Sequence, residues 1–85
     1  MKKLFKYTAE NISRSGAIKF VKALEADNIE VEHALMDPVF EHQFIMFVTC
    51  TDAEATAIKN RVWALNNGLY CEMYVADATE LEEYI

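Results

Sequence analysis

The side chains here that could do chemistry are two cysteines, two histidines and one hydroxyl-bearing segment. Cys50 and Cys71 have neither the spacing of a metal site nor the company of a disulfide framework. Both fall in apolar stretches and read as reduced core cysteines. His33 and His42 fall on the two arms of one expected hairpin, with Asp37 and Glu41 nearby. That set is too sparse for a metal site, and no nucleophile accompanies either imidazole as a base. The only serines are Ser13 and Ser15. The segment Ser13, Arg14, Ser15 and Gly16, with Lys19 close behind, offers hydroxyls, a guanidinium and a close-approach glycine at a helix start. Such a group suits an anion. Its plainer reading is an ordinary helix cap followed by a solvated arginine. No catalytic residue, metal or cofactor is assigned, and an enzyme is not expected.

Charge is the stronger signal. The net charge of −6 hides an asymmetry. From Met1 to Lys22, Lys2, Lys3, Lys6, Arg14, Lys19 and Lys22 face one acid, Glu10. From Ala23 to Ile58 there are eight acids and neither Lys nor Arg. One side of the molecule should be positive and the other strongly negative. Solvated faces on a small protein explain this; so does a steered contact with a basic partner.

The elements that must position these residues follow from periodicity. Gln43–Cys50 is a near-continuous apolar run without Gly, Pro or charge, and reads as a central strand. Its face is ambiguous; Gln43, Ile45, Phe47 and Thr49 are set outward, with Phe44, Met46, Val48 and Cys50 toward the helices. Lys2–Ala9 is the first strand, with Phe5 and Tyr7 inward because the other choice would bury Lys6. Ser13 caps a helix reaching about Asp27, with Ile12 placed to staple against Ala17. Its stripe is Ala17, Phe20, Val21 and Leu24, widened by Ile18. Asn28 suits the left-handed position after it. Ile29–Met36 is the second strand, with Ile29, Val31, His33 and Leu35 on one face and Glu30, Glu32, Ala34 and Met36 on the other. Asp37-Pro38 breaks it, and residues 39–42 form the hairpin connection. Thr51 and Glu54 match a capping box for a second helix reaching about Asn67, with the stripe Ala55, Ile58, Val62 and Leu65. Gly68 suits the turn after it. Leu69–Ala76 is the fourth strand. Asp77 to Glu80 begins a last helical turn carrying Leu81, Tyr84 and Ile85.

The order strand, helix, strand, strand, helix, strand resembles the split βαβ, or ferredoxin-like, arrangement. It implies one α+β domain over residues 1–85, with an antiparallel sheet in the order 4-1-3-2 and both helices on one face. Many unrelated families share that topology, so it licenses no function. A chain of 85 residues buries only about 60–65% of its unfolded surface, so association would help it. No run approaches a membrane span, and Lys6 interrupts the N-terminus before a signal-type apolar region forms; a cytoplasmic protein is expected.

Two surfaces follow. The helix-free sheet face should display Ile45, Phe47, Tyr70 and Tyr74, ringed by Glu30, Glu32 and Glu72, and it needs a cover. The C-terminal turn, a homodimer stacking two sheets, or a foreign protein would supply one. The hairpin tip offers Val39, Phe40 and Glu41, an apolar point beside acids that suits a partner's groove. Direct nucleic-acid binding is disfavoured, because the face carries glutamates where phosphate needs Lys and Arg. The leading expectation is a small acidic, non-enzymatic protein-binding module that inhibits or regulates a larger protein with a basic surface. A virus-encoded antagonist of a host enzyme or nucleic-acid-binding defence complex is one protein of this type, though no residue specifies it. The alternative is a dimeric ACT-like domain, which shares the topology, binding a small anionic ligand such as a nucleotide at Ser13–Gly16.

Overall fold

The computed structural model describes residues 1–36, 43–65, 67–68 and 70–85. The elements are β1 (Lys3–Ala9), α1 (Arg14–Ala26), β2 (Glu30–Met36), β3 (Phe44–Cys50), α2 (Asp52–Leu65), β4 (Cys71–Val75) and a short α3 (Ala78–Glu82). The four strands form one antiparallel sheet in the order β2-β3-β1-β4. This is the expected ferredoxin-like topology.

The helix boundaries follow local chemistry. The Ser13 hydroxyl accepts from the Gly16 N–H at 3.1 Å, and Asn28 takes φ 63° beyond the end of α1. At α2 the capping box is reciprocal. The Glu54 N–H donates to Thr51 Oγ1 at 3.2 Å, and the Thr51 N–H donates to Glu54 Oε1 at 2.9 Å. Gly68, at φ 76°, closes the chain back with its N–H on the Trp63 carbonyl at 2.8 Å.

The core lies between the sheet and the two long helices. Phe5, Tyr7 and Ala9 of β1 meet Phe44, Met46 and Val48 of β3, with Phe20 and Leu24 of α1 and Ile58 and Val62 of α2 above them. The inward set of β3 is the expected one. The Tyr7 hydroxyl, fully buried, donates to the Ala55 carbonyl at 2.8 Å, so its polar atom costs little. Two apolar positions read as helix stripe are exposed instead. Ile18 lies on the flank of α1, and Leu65 at the last turn of α2.

β2 departs from simple alternation. Val31 pairs with Val48, but His33, not Glu32, pairs with Phe47. This bulge inserts one residue and exchanges the faces of everything after it. Ala34 and Met36, expected on the open face, instead pack against the core. His33 and Leu35 take their place outside, opposite Phe47 and Ile45. The exchange keeps an imidazole out of the core, where it would need a polar partner, and brings in a methionine.

The other departure is the helix-free face. Lys6 is only 9% exposed, although the inward choice of Phe5 and Tyr7 was expected to leave it in water. The reason is α3. Asp77 caps it, accepting from the Glu80 N–H at 2.9 Å, and the segment folds back across the outer face of β1, β3 and β4.

Candidate functional site

Three places bring chemistry-bearing side chains together. The first is under α3. The Lys6 ammonium donates to Glu80 Oε2 and to the Tyr84 hydroxyl, each at 3.0 Å. It also lies 5.9, 5.6 and 4.8 Å from the ring centroids of Phe47, Tyr74 and Tyr84. The Tyr74 hydroxyl donates to the same Glu80 carboxylate, and the Tyr84 ring packs on Phe47 at 5.4 Å. This is a cage of three aromatic rings and one carboxylate around a cation, occupied by the chain's own lysine. Burial alone would lower the Lys6 pKa. The hydrogen bonds to Tyr84, Glu80 and Tyr74 outweigh it and hold the ammonium well above the ordinary lysine range. The Tyr74 hydrogen bond, aided by Lys6, pulls the Glu80 carboxyl below its ordinary value against a small desolvation.

This cage corrects the expected interface. Phe47 and Ile45, placed on an exposed face, are 0% and 3% exposed. Of the three covers the sequence offered, the C-terminal turn is the one that lies over the centre of the face, through Glu80 and Tyr84. Ile85 stays exposed and Leu81 is half-buried. Tyr74 and Tyr70 remain more than a third exposed at the β4 side. The Tyr70 hydroxyl donates to Glu72 Oε2 at 2.6 Å.

The second place is the outer face of β2. Glu30 and Glu32 are both exposed there, two residues apart and so on one face of the strand, ahead of the point where the faces exchange. Thr49 Oγ1 donates to Glu32 Oε1 at 3.0 Å and fixes one carboxylate against the sheet. The Glu30 carboxyl is raised above its ordinary value, first by a hydrogen bond to Glu32 and then by that neighbour's charge. Lys2 acts in the opposite sense without cancelling the effect.

The third place is a groove of about 310 Å³ between α1 and the β2 edge. Arg14, Ile18, Val21 and Glu25 line its helical wall, and Ala34 and Met36 its strand wall.

The remaining expected residues divide plainly. At Ser13 the hydroxyl is already committed to the Gly16 N–H and lies 3.4 Å from Ser15 Oγ, so the helix start is capped by its own side chain. Arg14 lines the groove and Lys19 is exposed. Val39, Phe40, Glu41 and His42 lie outside the described residues. His33 is half-buried on the open face. Among the described residues, no group of three or more His, Cys, Asp or Glu could hold a metal ion. The Cys50 thiol is pushed up to about 11, first by burial and then by Glu54 and Asp52. Burial raises Cys71 against the pull of Lys59. Neither is a nucleophilic thiol near neutral pH.

Sequence reasoning missed the Lys6 cage. Its signal was present in Asp77-Ala78-Thr79-Glu80, a capping pattern with a tyrosine one turn beyond. Comparison with family models, with curated proteins and with solved structures found no match to this chain.

Proposed function

We propose that this chain is a non-enzymatic protein-binding module that docks the acidic side of β2 on a basic surface of a larger protein and blocks or regulates it. The observation that carries the reading is the Glu30–Glu32 pair. Glu30 and Glu32 share the outer face of β2, and the Glu30 carboxyl is raised first by a hydrogen bond to Glu32 and then by that neighbour's charge, with Lys2 opposing. An incoming guanidinium or ammonium would replace the repulsion with two charge-assisted hydrogen bonds. Thr49 has already fixed one of the carboxylates, so less side-chain freedom is lost on binding. A protein that handles nucleic acid presents the basic surface such a face complements. The unreactive thiols support a binding role over a chemical one. Among the described residues no helix is long and apolar enough to cross a membrane.

The test is capture from host lysate on the wild-type protein and on a Glu30→Lys/Glu32→Lys variant, at low and high salt. The wild type should retain one dominant protein that is released as salt screens the contact. The folded variant should retain at least about tenfold less. Equal retention by both proteins refutes the reading.

A further inference from the structure

The groove between α1 and β2 has a self-complementary wall. Arg14 and Glu25 lie symmetrically about the midpoint between Lys19 and Phe20. Ile18 and Val21 are symmetric about the same point. All four line the groove, with Ala17 and Lys22, which are symmetric about the same point and would meet each other, and Ile18 is 48% exposed. A second α1 laid antiparallel on the first would therefore bring Arg14 against Glu25 and Ile18 against Val21, each pairing occurring twice.

Two further observations point the same way. Arg14 is in the first turn of α1 and Glu25 is in its last, each at the helix end that disfavours its charge. Among the described residues, the ion pairs join Lys3 to Asp52, Lys6 to Glu80 and Arg61 to Asp27, and neither Arg14 nor Glu25 takes part. Against an antiparallel copy both charges become favourable, because each meets the opposite end of the other helix. The second observation is that, among the described residues, β2 is an edge strand, paired only with β3. Leu35, on the other sheet face, also lines the groove. Beyond the bulge, His33–Met36 is regular, and its outward N–H and C=O groups face no strand among the described residues. Pairing two β2 edges antiparallel makes one continuous sheet and puts both α1 helices on the same face of it, antiparallel across the two-fold axis.

We infer that the groove is the interface of a two-fold symmetric dimer of this chain, in which β2 edges pair and α1 helices pack antiparallel, with Arg14 of each copy on Glu25 of the other. The contact is isologous and closes on itself. Glu30 and Glu32 point to the opposite face and stay free, so the inference is independent of the proposed docking.

Sedimentation velocity on the full chain over a concentration series tests this, with Arg14→Glu, Glu25→Arg, the double variant and an equimolar mixture of the two singles. Far-UV circular dichroism confirms that each is folded. The wild type should show a monomer–dimer equilibrium. Each single variant should weaken it at least about tenfold, because like charges then meet twice. The double variant, and the mixture as a heterodimer, should recover it. A wild type monomeric at every concentration overturns the inference and leaves the groove to a peptide or a small anionic ligand. A dimer indifferent to both single reversals, or not recovered by the double variant and the mixture, overturns it as well.

Discussion

Removing Glu80's charge should cost more than removing Lys6. In Glu80→Gln the shape is kept and the ammonium stays, 11% exposed, without its carboxylate. Breaking a fully buried ion pair costs about 3–5 kcal/mol, chiefly because an uncompensated charge is left behind. Here the discount is large. Glu80 is 26% exposed, the Tyr84 hydroxyl still accepts from Lys6, and three rings still face the cation. About 1–3 kcal/mol remains, in the range of one hydrogen bond between charged groups. Lys6→Met takes away the charge and leaves an apolar stem of similar length among Phe47, Tyr74 and Tyr84, where sulfur packs well. Glu80 keeps the Tyr74 hydroxyl and can turn to water. That variant should lie within about 1 kcal/mol of wild type. Urea unfolding followed by far-UV circular dichroism, compared at unchanged m, measures both. The same pair sets the pH dependence. Glu80 is depressed in the fold, so its contribution is full above its ordinary 4.5 and is lost as pH falls below that value. Lys6 is raised, so its contribution is full below 10.5 and is lost as pH rises beyond it. Lys6→Met should make the alkaline fall shallower without abolishing it, because the burial-raised Cys50, Cys71 and Tyr7 contribute a fall of their own. Equal stability of Glu80→Gln and wild type, or a larger loss in Lys6→Met than in Glu80→Gln, refutes the cage.

Two other substitutions test the backbone. Gly68→Ala forces a side chain into φ 76° with its Cβ 2.7 Å from Trp63 Nε1, and should cost about 1–2 kcal/mol. A thermal melt should show a drop of roughly 4–8 °C per kcal/mol, and no drop would mean the turn relaxes freely. The β2 bulge predicts opposite fates for neighbours. His33→Lys should stay within about 0.5 kcal/mol on the open face, while Ala34→Lys should cost about 1–3 kcal/mol by driving an ammonium toward the core. The reverse order in urea unfolding would restore simple alternation.

The fold was legible because its signals are local. Ser13, Thr51 with Glu54, Asn28 and Gly68 each mark a boundary through a hydrogen bond or a dihedral that their own side chain permits. The alternation of Phe5, Tyr7 and Ala9 with polar neighbours fixed β1's inward face. The bulge was not legible. Ile29 to Met36 alternates acceptably in either phase, and the choice is made by α1 and β3, which are distant in sequence. On the open face the C-terminal turn was one of three covers considered, but the burial of Lys6 beneath it was missed for a related reason. Burying Lys6 looked costly because a lysine alone in a core is costly, and its partners lie more than seventy residues away. Periodicity reports which face is apolar, and says nothing of a carboxylate and a phenol arriving from the other end of the chain.

That arrival decides which surfaces remain for function. A sheet with helices on one side leaves its other face needing a cover, and a small domain often finds one in a partner. Here α3 spends one aromatic ring and one carboxylate to seal the centre of that face around Lys6, the most deeply held charge of the basic N-terminal stretch. With Lys6 neutralised inside the fold, its charge does not project from the sheet. The acids of β2 then dominate the rim beside it, unmasked. Two surfaces are left at that side, one above the sheet plane and one below. The groove wall of α1 carries charges of both signs, Arg14 and Glu25 in mirrored positions with Lys22 between them, which suits a copy of itself. The outer face of β2 carries one sign only, which repels a copy and suits a foreign cation. Opposite charge patterns on the two sides of one edge strand let the same strand serve both contacts without competition.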